Sequence, residues 1–363
     1  MKPAISSLAR EELRARFEQQ GEPAYRADQV LQWVHQKHAA GWGAMTNLAK
    51  PLREKLAVEY IFSTVGLTCL QGEAGATRKF LWHLADGQFI ESVLITATPA
   101  LYGESSDRHT LCVSTQVGCA YGCKFCASGL DGFKRDLEPA EIIDQVLGLE
   151  RWHRGQDGAG ERLVNNLVIM GMGEPLANYD NLLAALEILN ANWGANIGAR
   201  KITISTSGLV PEMERLAMQP RQYRLAISLH GATDEVRGKI MPINGKYPLA
   251  ELIEAARRYQ REKSGMITLE YILIAGVNDD LEQAKRLAAI ARQIHAKINL
   301  IPYNKVEGLK WKRPDEAVQE AFLAVLDSEG VSVTLRHEKG HDIDAACGQL
   351  RLRAQTELAE TSN

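Results

Sequence analysis

No apolar run in this 363-residue chain approaches the length needed to span a bilayer, which argues against a membrane-embedded helical protein and for no membrane partner. A secretory signal is also missing. Glu11, Glu12 and Glu18 stand where a signal peptide would be apolar, so the expected location is cytoplasmic. Cysteine is scarce, six in all, and without a signal these six speak against a static disulfide framework and for metal or redox work. Positive charge is not in excess: the formal net charge is −3 and the isoelectric point about 6.3, a global balance that counts mildly against nucleic acid and passes that question to local clusters. Low-complexity stretches are few. What remains, at 45% hydrophobic and 24% charged residues, is the composition of an ordinary soluble enzyme with room for one large domain and a smaller appendage.

Residues 1–60 read as helices. Leu8 to Gln19 mixes apolar and charged residues at helical spacing, and Arg26 to Lys37 places Val30, Leu31, Trp33 and Val34 on one face. Thr46 or Asn47 is expected to cap a third helix with Pro51 in its first turn. Three short alternating segments follow, Ile61–Leu70, Thr77–His83 and Gln88–Thr96, and residues 97–108 read as an exposed loop. From His109 onward, strand-like segments (109–114, 166–170, 201–205, 224–229, 268–274 and 297–302) alternate with helical ones, and a last strand is expected over 331–337. Regular βα alternation implies parallel strands with crossover helices. Six such units are two short of a closed eight-stranded barrel, so the expected fold is α/β, a partial (β/α)6 TIM-like barrel with a small N-terminal helical domain; a doubly wound sheet is the alternative. The expected divisions are 1–60, a linking β extension over 61–104, the barrel over 105–345 and a C-terminal segment over 346–363.

Cys119-Ala-Tyr-Gly-Cys123-Lys-Phe-Cys126 holds three thiols spaced C-x3-C-x2-C, with Gly118, Gly122 and Gly129 allowing the backbone to wrap closely around a large group. Thiolates suit zinc or an iron–sulfur cluster. Structural zinc needs four ligands, usually in pairs, and neither His109 nor His153 supplies that spacing. Three cysteines instead fill three corners of a [4Fe–4S] cubane and leave one iron open. Strand ends downstream carry Gly171-Met172-Gly173-Glu174-Pro175, Ser205-Thr206-Ser207-Gly208, Ser228-Leu229-His230 and Asn304. Each reads as a ligand contact or as an ordinary turn, cap or satisfied polar residue. Cys112 lies on the strand entering the cysteine loop, Cys347 lies in a polar, glycine-flanked stretch near the C-terminus, and Cys69 reads as inert filler.

The three-cysteine spacing, with an aromatic before the third cysteine, resembles the radical S-adenosylmethionine (SAM) superfamily, in which the open iron binds SAM. Leu111-Cys112-Val-Ser-Thr-Gln-Val-Gly-Cys119, Gly171-Met-Gly-Glu-Pro-Leu-Ala-Asn178 and Arg336-x3-Gly340-x-Asp342-Ile-Asp-Ala-Ala-Cys347-Gly-Gln-Leu resemble more narrowly the RlmN-type adenine-C2 methyltransferases. The likeness runs from about residue 8 to 352 and takes in Ala24-Tyr25-Arg26-Ala27-Asp28-Gln29 and Met241-Pro-Ile-Asn244. The Cfr-type relatives, which methylate adenine C8, often have alanine where this chain has Pro175.

The resemblance implies the following roles. Cys119, Cys123 and Cys126 hold the cluster, and Gly173, Glu174, Ser205, Ser228, Leu229, His230 and Asn304 contact SAM. Two SAM are used per turnover, one methylating Cys347 and one giving the radical that activates that methyl group for addition to adenine C2. Cys112 resolves the adduct through a transient Cys112–Cys347 disulfide. Glu91, in Phe89-Ile-Glu91-Ser-Val, takes the C2 proton, unless it is merely a strand carboxylate facing solvent. Implied partners are 23S ribosomal RNA near the peptidyl-transferase centre, transfer RNA at the adenosine 3′ of the anticodon, and a reducing electron donor, with the enzyme a monomer. RNA contacts are expected from Lys305, Lys310, Lys312 and Arg313 with Trp311 interleaved, from Lys124, Lys134 and Arg135, and from Arg26, Lys37, Lys50 and Arg53. The competing readings are a C8 methyltransferase and a non-catalytic, metal-stabilised RNA-binding module.

Overall fold

The computed structural model describes residues 2–73, 75–96, 108–156, 162–336 and 348–353. Three helices open the chain: α1 (Arg10–Gln19), α2 (Tyr25–His35) and α3 (Lys50–Glu59). Their apolar residues recur at helical spacing, and Leu13, Phe17, Val30, Leu31, Val34, Leu52 and Leu56 are all buried. Each such side chain contributes roughly 1.5–3 kcal/mol relative to leaving it in water. The expected cap at Thr46 or Asn47 is not formed. The helix begins at Lys50 after Ala49, with no side-chain cap and Pro51 in its first turn. Asn47 is engaged elsewhere: its Oδ1 accepts from Trp33 Nε1 at 2.6 Å and its carbonyl from Arg26 at 3.1 Å. That bond also leaves Trp33 half-buried at the edge of the α2 apolar face.

Strands β1 (Val65–Gln71), β2 (Arg78–Leu84) and β3 (Phe89–Thr96) form an antiparallel meander, and β3 pairs antiparallel with β4 (His109–Cys112). A small separate hairpin, β5 (Gln116–Gly118) and β6 (Phe133–Asp136), follows. Next come α4 (Pro139–Arg154), β7 (Asn166–Ile169), α5 (Tyr179–Asn190), β8 (Ile202–Thr206), α6 (Val210–Ala217) and β9 (Arg224–Ser228). The chain continues through α7 (Asp234–Ile240), α8 (Leu249–Glu262), β10 (Thr268–Leu273), α9 (Leu281–Gln293), β11 (Lys297–Pro302), α10 (Glu316–Ser328) and β12 (Val333–Leu335). Helix α4 starts sharply because Glu138 and Glu141 form a reciprocal capping box around Pro139.

One ten-stranded sheet runs β1-β2-β3-β4-β7-β8-β9-β10-β11-β12. From β4 onward all neighbours are parallel and follow chain order. A doubly wound sheet reverses its strand order at a switch point; here there is none, so the sheet winds one way as a barrel does. It stops at β12 on one side and continues into β3, β2 and β1 on the other, which leaves the barrel partial. The meander is therefore continuous with the barrel wall. Leu167, Ile169, Ile202, Ile204, Leu225, Ile227, Leu269, Tyr271, Ile298 and Leu300 recur at every second position in register across the sheet, so they share one face, and all are buried.

Candidate active site

The β5–β6 hairpin encloses the three-cysteine loop. Gly118 has φ +75°, and a Cβ there would stand 1.8 Å from the Gly132 carbonyl oxygen, so only glycine closes this hairpin. The loop is pinned from three sides. Cys119 N–H donates to the Gly132 carbonyl, Lys124 N–H to the Ile240 carbonyl at the end of α7, and Trp311 Nε1 to the Lys124 carbonyl at 2.8 Å. Phe125 meets the His230 ring edge-on at 4.8 Å between centroids.

The residues present fit an iron–sulfur cluster. Burial first, then the neighbouring sulfurs, push the Cys119 thiol up to about 11 and the Cys123 thiol higher still, so all three sulfurs lie close enough to feel one another. Uncompensated thiolates are disfavoured here, and cationic iron reverses that preference. Among the described residues no three His, Cys, Asp or Glu side chains converge as ligands of a single ion, whereas a cubane takes one thiolate at each separate corner.

A cavity of about 360 Å³ opens at the C-terminal ends of the parallel strands. The three loop cysteines and Cys112 line it together with Gly173, Glu174, Ser205, Ser228, His230 and Asn304. Gly173 has φ +98°, and a Cβ on it would press to 2.5 Å from Gln116 Cβ. Glu174 is fully engaged by backbone: Oε1 accepts from Leu176 N–H at 3.0 Å and Oε2 from Ser207 N–H at 2.7 Å. Burial raises its carboxyl pKa, opposed by those bonds. His230, also in the left-handed region at φ +58°, accepts from Ile272 N–H at Nδ1 (3.0 Å). Burial, then Arg237, pushes its pKa down to about 3, so the ring is neutral and carries its proton on Nε2. Asn304 Oδ1 accepts from Arg313 Nη2 at 2.6 Å, which directs its amide N–H groups elsewhere. Ser205 and Ser228 stand on β8 and β9, each at a strand end.

Leu229 is different. It is buried outside the cavity lining, its N–H donates to the Glu270 carbonyl and its carbonyl accepts from Arg237 Nε at 3.1 Å. It supports the wall by packing and offers the cavity no polar group.

Sequence reading missed Glu270, a buried carboxylate lining the same cavity, its Oε2 accepting from Asn299 Nδ2 at 2.6 Å. A signal was there: a lone glutamate between Leu269 and Tyr271, in register with Ser228 on β9 and Asn299 on β11. Lys79, Arg313 and Arg336 line the cavity as well.

Cys112 is buried on β4 between Val93 and Val168. Glu91 does not face solvent; it is buried on β3, 3.2 Å from the ammonium of the buried Lys79. Its Oε2 accepts from Gly348 N–H at 2.9 Å and its Oε1 from Arg351 N–H at 2.7 Å. Cys347, Gly340 and Asp342 lie outside the described residues, as do residues 97–107.

The basic residues divide. Lys305, Lys310 and Lys312 are exposed at the mouth, but Trp311 holds the cysteine loop and Arg313 holds Asn304. Glu307 lies 3.8 Å from Arg353. Arg135 is tied internally to Asp86 and bidentately to Glu141, and Lys134 pairs with Asp131 at 3.4 Å. In the N-terminal helices, Arg26 stacks over Tyr25 and Lys37 over Trp33, while Arg53 donates to the Gly43 carbonyl and Lys50 pairs with Glu54.

Residues 4–61 match the family model described as "Ribosomal RNA large subunit methyltransferase N-terminal domain", and residues 113–288 match that of the "Radical SAM superfamily". A probable dual-specificity RNA methyltransferase RlmN 3 of Opitutus terrae is 54% identical over 98% of this chain and 96% of its own length. A probable RlmN of Akkermansia muciniphila is 53% identical over 98% and 97%, and one of Bacillus mycoides 44% identical over 98% and 95%. The crystal structure of a radical SAM methyltransferase from Sphaerobacter thermophilus superposes with a TM-score of 0.89 at 41% identity, covering 96% of this chain and 98% of that one.

Proposed function

The chain belongs to the RlmN family of radical SAM RNA methyltransferases, and from that premise we propose that it methylates C2 of adenosine in 23S ribosomal RNA near the peptidyl-transferase centre and in transfer RNA 3′ of the anticodon. The family's [4Fe–4S] cluster and SAM, when bound, supply a 5′-deoxyadenosyl radical, the hydrogen-abstracting species needed because adenine C2 is electron-poor and takes no methyl cation directly.

Cys119, Cys123 and Cys126 would hold the cluster, and Gly173, Glu174, Ser205, Ser228, His230 and Asn304 would position SAM. His230 would offer its Nε2–H, Asn304 its amide donors and the serines their hydroxyls. Cys347 would carry the one-carbon unit as a thioether; once that carbon has added to C2 as a radical, the adduct would lose its C2 proton to Glu91 and one electron, balancing the electron spent in cleaving SAM. Cys112 would then attack the Cys347 sulfur: an S–S bond forms, the S–C bond breaks with its electron pair going to the carbon fragment, and that carbon takes up a proton. Two electrons from a reducing donor would restore both thiols. The enzyme would act as a monomer.

One observation supports this reading above the rest: Cys112 shares a cavity with the three-cysteine loop, and the residue after Cys347 is hydrogen-bonded to Glu91. The test is methylation of ribosomal and transfer RNA fragments by anaerobically reconstituted protein, with the product nucleoside identified by mass spectrometry. 2-Methyladenosine is expected. 8-Methyladenosine would make the chain a C8 enzyme, and reduced protein that never cleaves SAM would return it to RNA binding alone.

A further inference from the structure

Lys79 and Glu91 are both buried, on neighbouring strands of the meander, and none of the roles above uses Lys79. The pair reaches the far end of the chain. Gly348 and Arg351, from whose N–H groups Glu91 accepts, belong to a helical turn at 348–353, so the carboxylate caps buried N–H groups at a helix start. Leu350, in the same turn, packs with Leu81 and Phe89 from either side of Glu91. Gly348 has φ +88° and lies so close to Ser128, two residues past Cys126, that a Cβ on it would be 3.0 Å from Ser128 Cα.

We propose that Lys79 is a positioning residue: by pairing with Glu91 it aims the carboxylate at the Gly348 and Arg351 N–H groups, and so docks the chain leaving Cys347 beside the cluster loop. It rests on the roles given to Cys347 and Glu91 above, and it adds a consequence. An ionised carboxylate only accepts, and three donors face this one: an ammonium and two backbone N–H groups. When Glu91 takes up a proton, one oxygen becomes a donor opposed to a donor. The proton leaving adenine C2 therefore loosens the docked turn at the stage when Cys112 must reach the Cys347 sulfur.

The docking can be read on cluster-loaded protein without RNA, by hydrogen exchange at residues 348–351 and by the rate at which iodoacetamide alkylates Cys347. Lys79→Met, and Glu91→Gln as a mimic of the protonated carboxyl, should each raise both rates about tenfold or more, with exchange in β8–β10 unchanged. Lys79→Arg, which keeps the charge, should return alkylation close to the wild-type rate. Wild-type rates in both Lys79→Met and Glu91→Gln, with Leu350→Ala alone accelerating them, would assign docking to the apolar contact and overturn the proposal. Equal acceleration by Lys79→Arg and Lys79→Met would overturn the part played by charge. Loss of methylation in Glu91→Gln with docking intact would overturn the docking role and leave the proposed function standing. Wild-type protein with the turn docked that never forms 2-methyladenosine would count against the proposed function instead.

Discussion

The barrel mouth and the seam between the N-terminal helices and α4 both bury histidine rings but treat them in opposite ways. At the mouth the two buried groups placed against SAM have backbone partners: Glu174 takes Leu176 and Ser207 N–H, and His230 takes Ile272 N–H. In the seam, both ring nitrogens of His35 and Nδ1 of His38 meet no hydrogen-bond partner among the described residues, and His35 is held by an edge contact with Trp193. Arg151 stacks over Phe62, donates to Ser63 Oγ at 3.1 Å and comes to 4.0 Å of Asp144, while its Nε and Nη2 meet no hydrogen-bond partner among the described residues. Yet His35, His38 and His230 are all pushed down to about 3, by burial first. Burial, reinforced by neighbouring arginines, thus sets the charge state in both places, and only the backbone bond sets orientation. A site that must aim an N–H needs the second; an interface that must merely close does not.

The hardest break falls at the mouth. Cys112→Ala should end multiple turnover, because the other three thiols lining the cavity are those assigned to the cluster, and RNA should remain joined to Cys347 as a species that thiol reductants do not release. A denaturing gel with labelled RNA reads this directly, and free methylated RNA at the wild-type rate would refute the resolving role. Next in size is a matched pair of ring exchanges. His230→Phe leaves Ile272 N–H buried without its acceptor, a loss of about 1–3 kcal/mol in urea unfolding together with loss of SAM cleavage. His35→Phe removes a ring with no bond to lose, so its stability should stay within about 1 kcal/mol of wild type and activity should persist. Equal losses in the two variants would erase the distinction between the regions.

Acid sharpens the same contrast. A histidine whose folded pKa lies near 3 and unfolded pKa near 6.5 binds its proton only on unfolding between those values. Its contribution to stability is therefore whole above pH 6.5 and is lost as pH falls toward 3, at about 1.4 kcal/mol per pH unit for each ring. The carboxyls of Asp144, Glu174 and Glu270, raised by burial, work with the opposite sign, so the histidine slope is isolated by comparing variants. Unfolding free energies between pH 7 and 5 should fall less steeply for His35→Phe than for wild type.

Much of the mouth was legible because its signals are local. Three cysteines within eight residues, and a strand–helix rhythm ending in glycines, serines and a histidine, depend on near neighbours in the chain. What misled was partnership at a distance. Asn47 looks like a cap until Trp33 takes its side chain, Arg135 looks like a phosphate ligand until Asp86 and Glu141 take it, and Leu229 stands between two cavity-lining residues without lining the cavity itself. Glu91 finds its donors at residues 348 and 351, a pairing across most of the chain that no spacing reveals. Family resemblance singled out Glu91, which the structure shows buried and bonded to the C-terminal turn, but was silent on Lys79.

The smallest effect concerns the rim, where the same logic separates charges that are spent from charges that are available. Lys310 and Lys312 are exposed at the mouth and have no ion pair among the described residues, whereas Arg135 is held by two carboxylates. A lysine that neutralises a phosphate releases a counterion, so its loss flattens the dependence of log affinity on log salt by about 0.7 for single-stranded RNA. The double variant Lys310→Gln, Lys312→Gln should thus lower that slope by about 1.4, weakening binding uniformly across RNA sequences without changing which carbon is methylated. Arg135→Gln should leave the slope where it was and instead loosen the hairpin that frames the cysteine loop, seen as faster loss of the cluster's absorbance. A slope change for Arg135→Gln equal to that of a lysine would mean that its two carboxylates release it to RNA, and that the rim follows no such division.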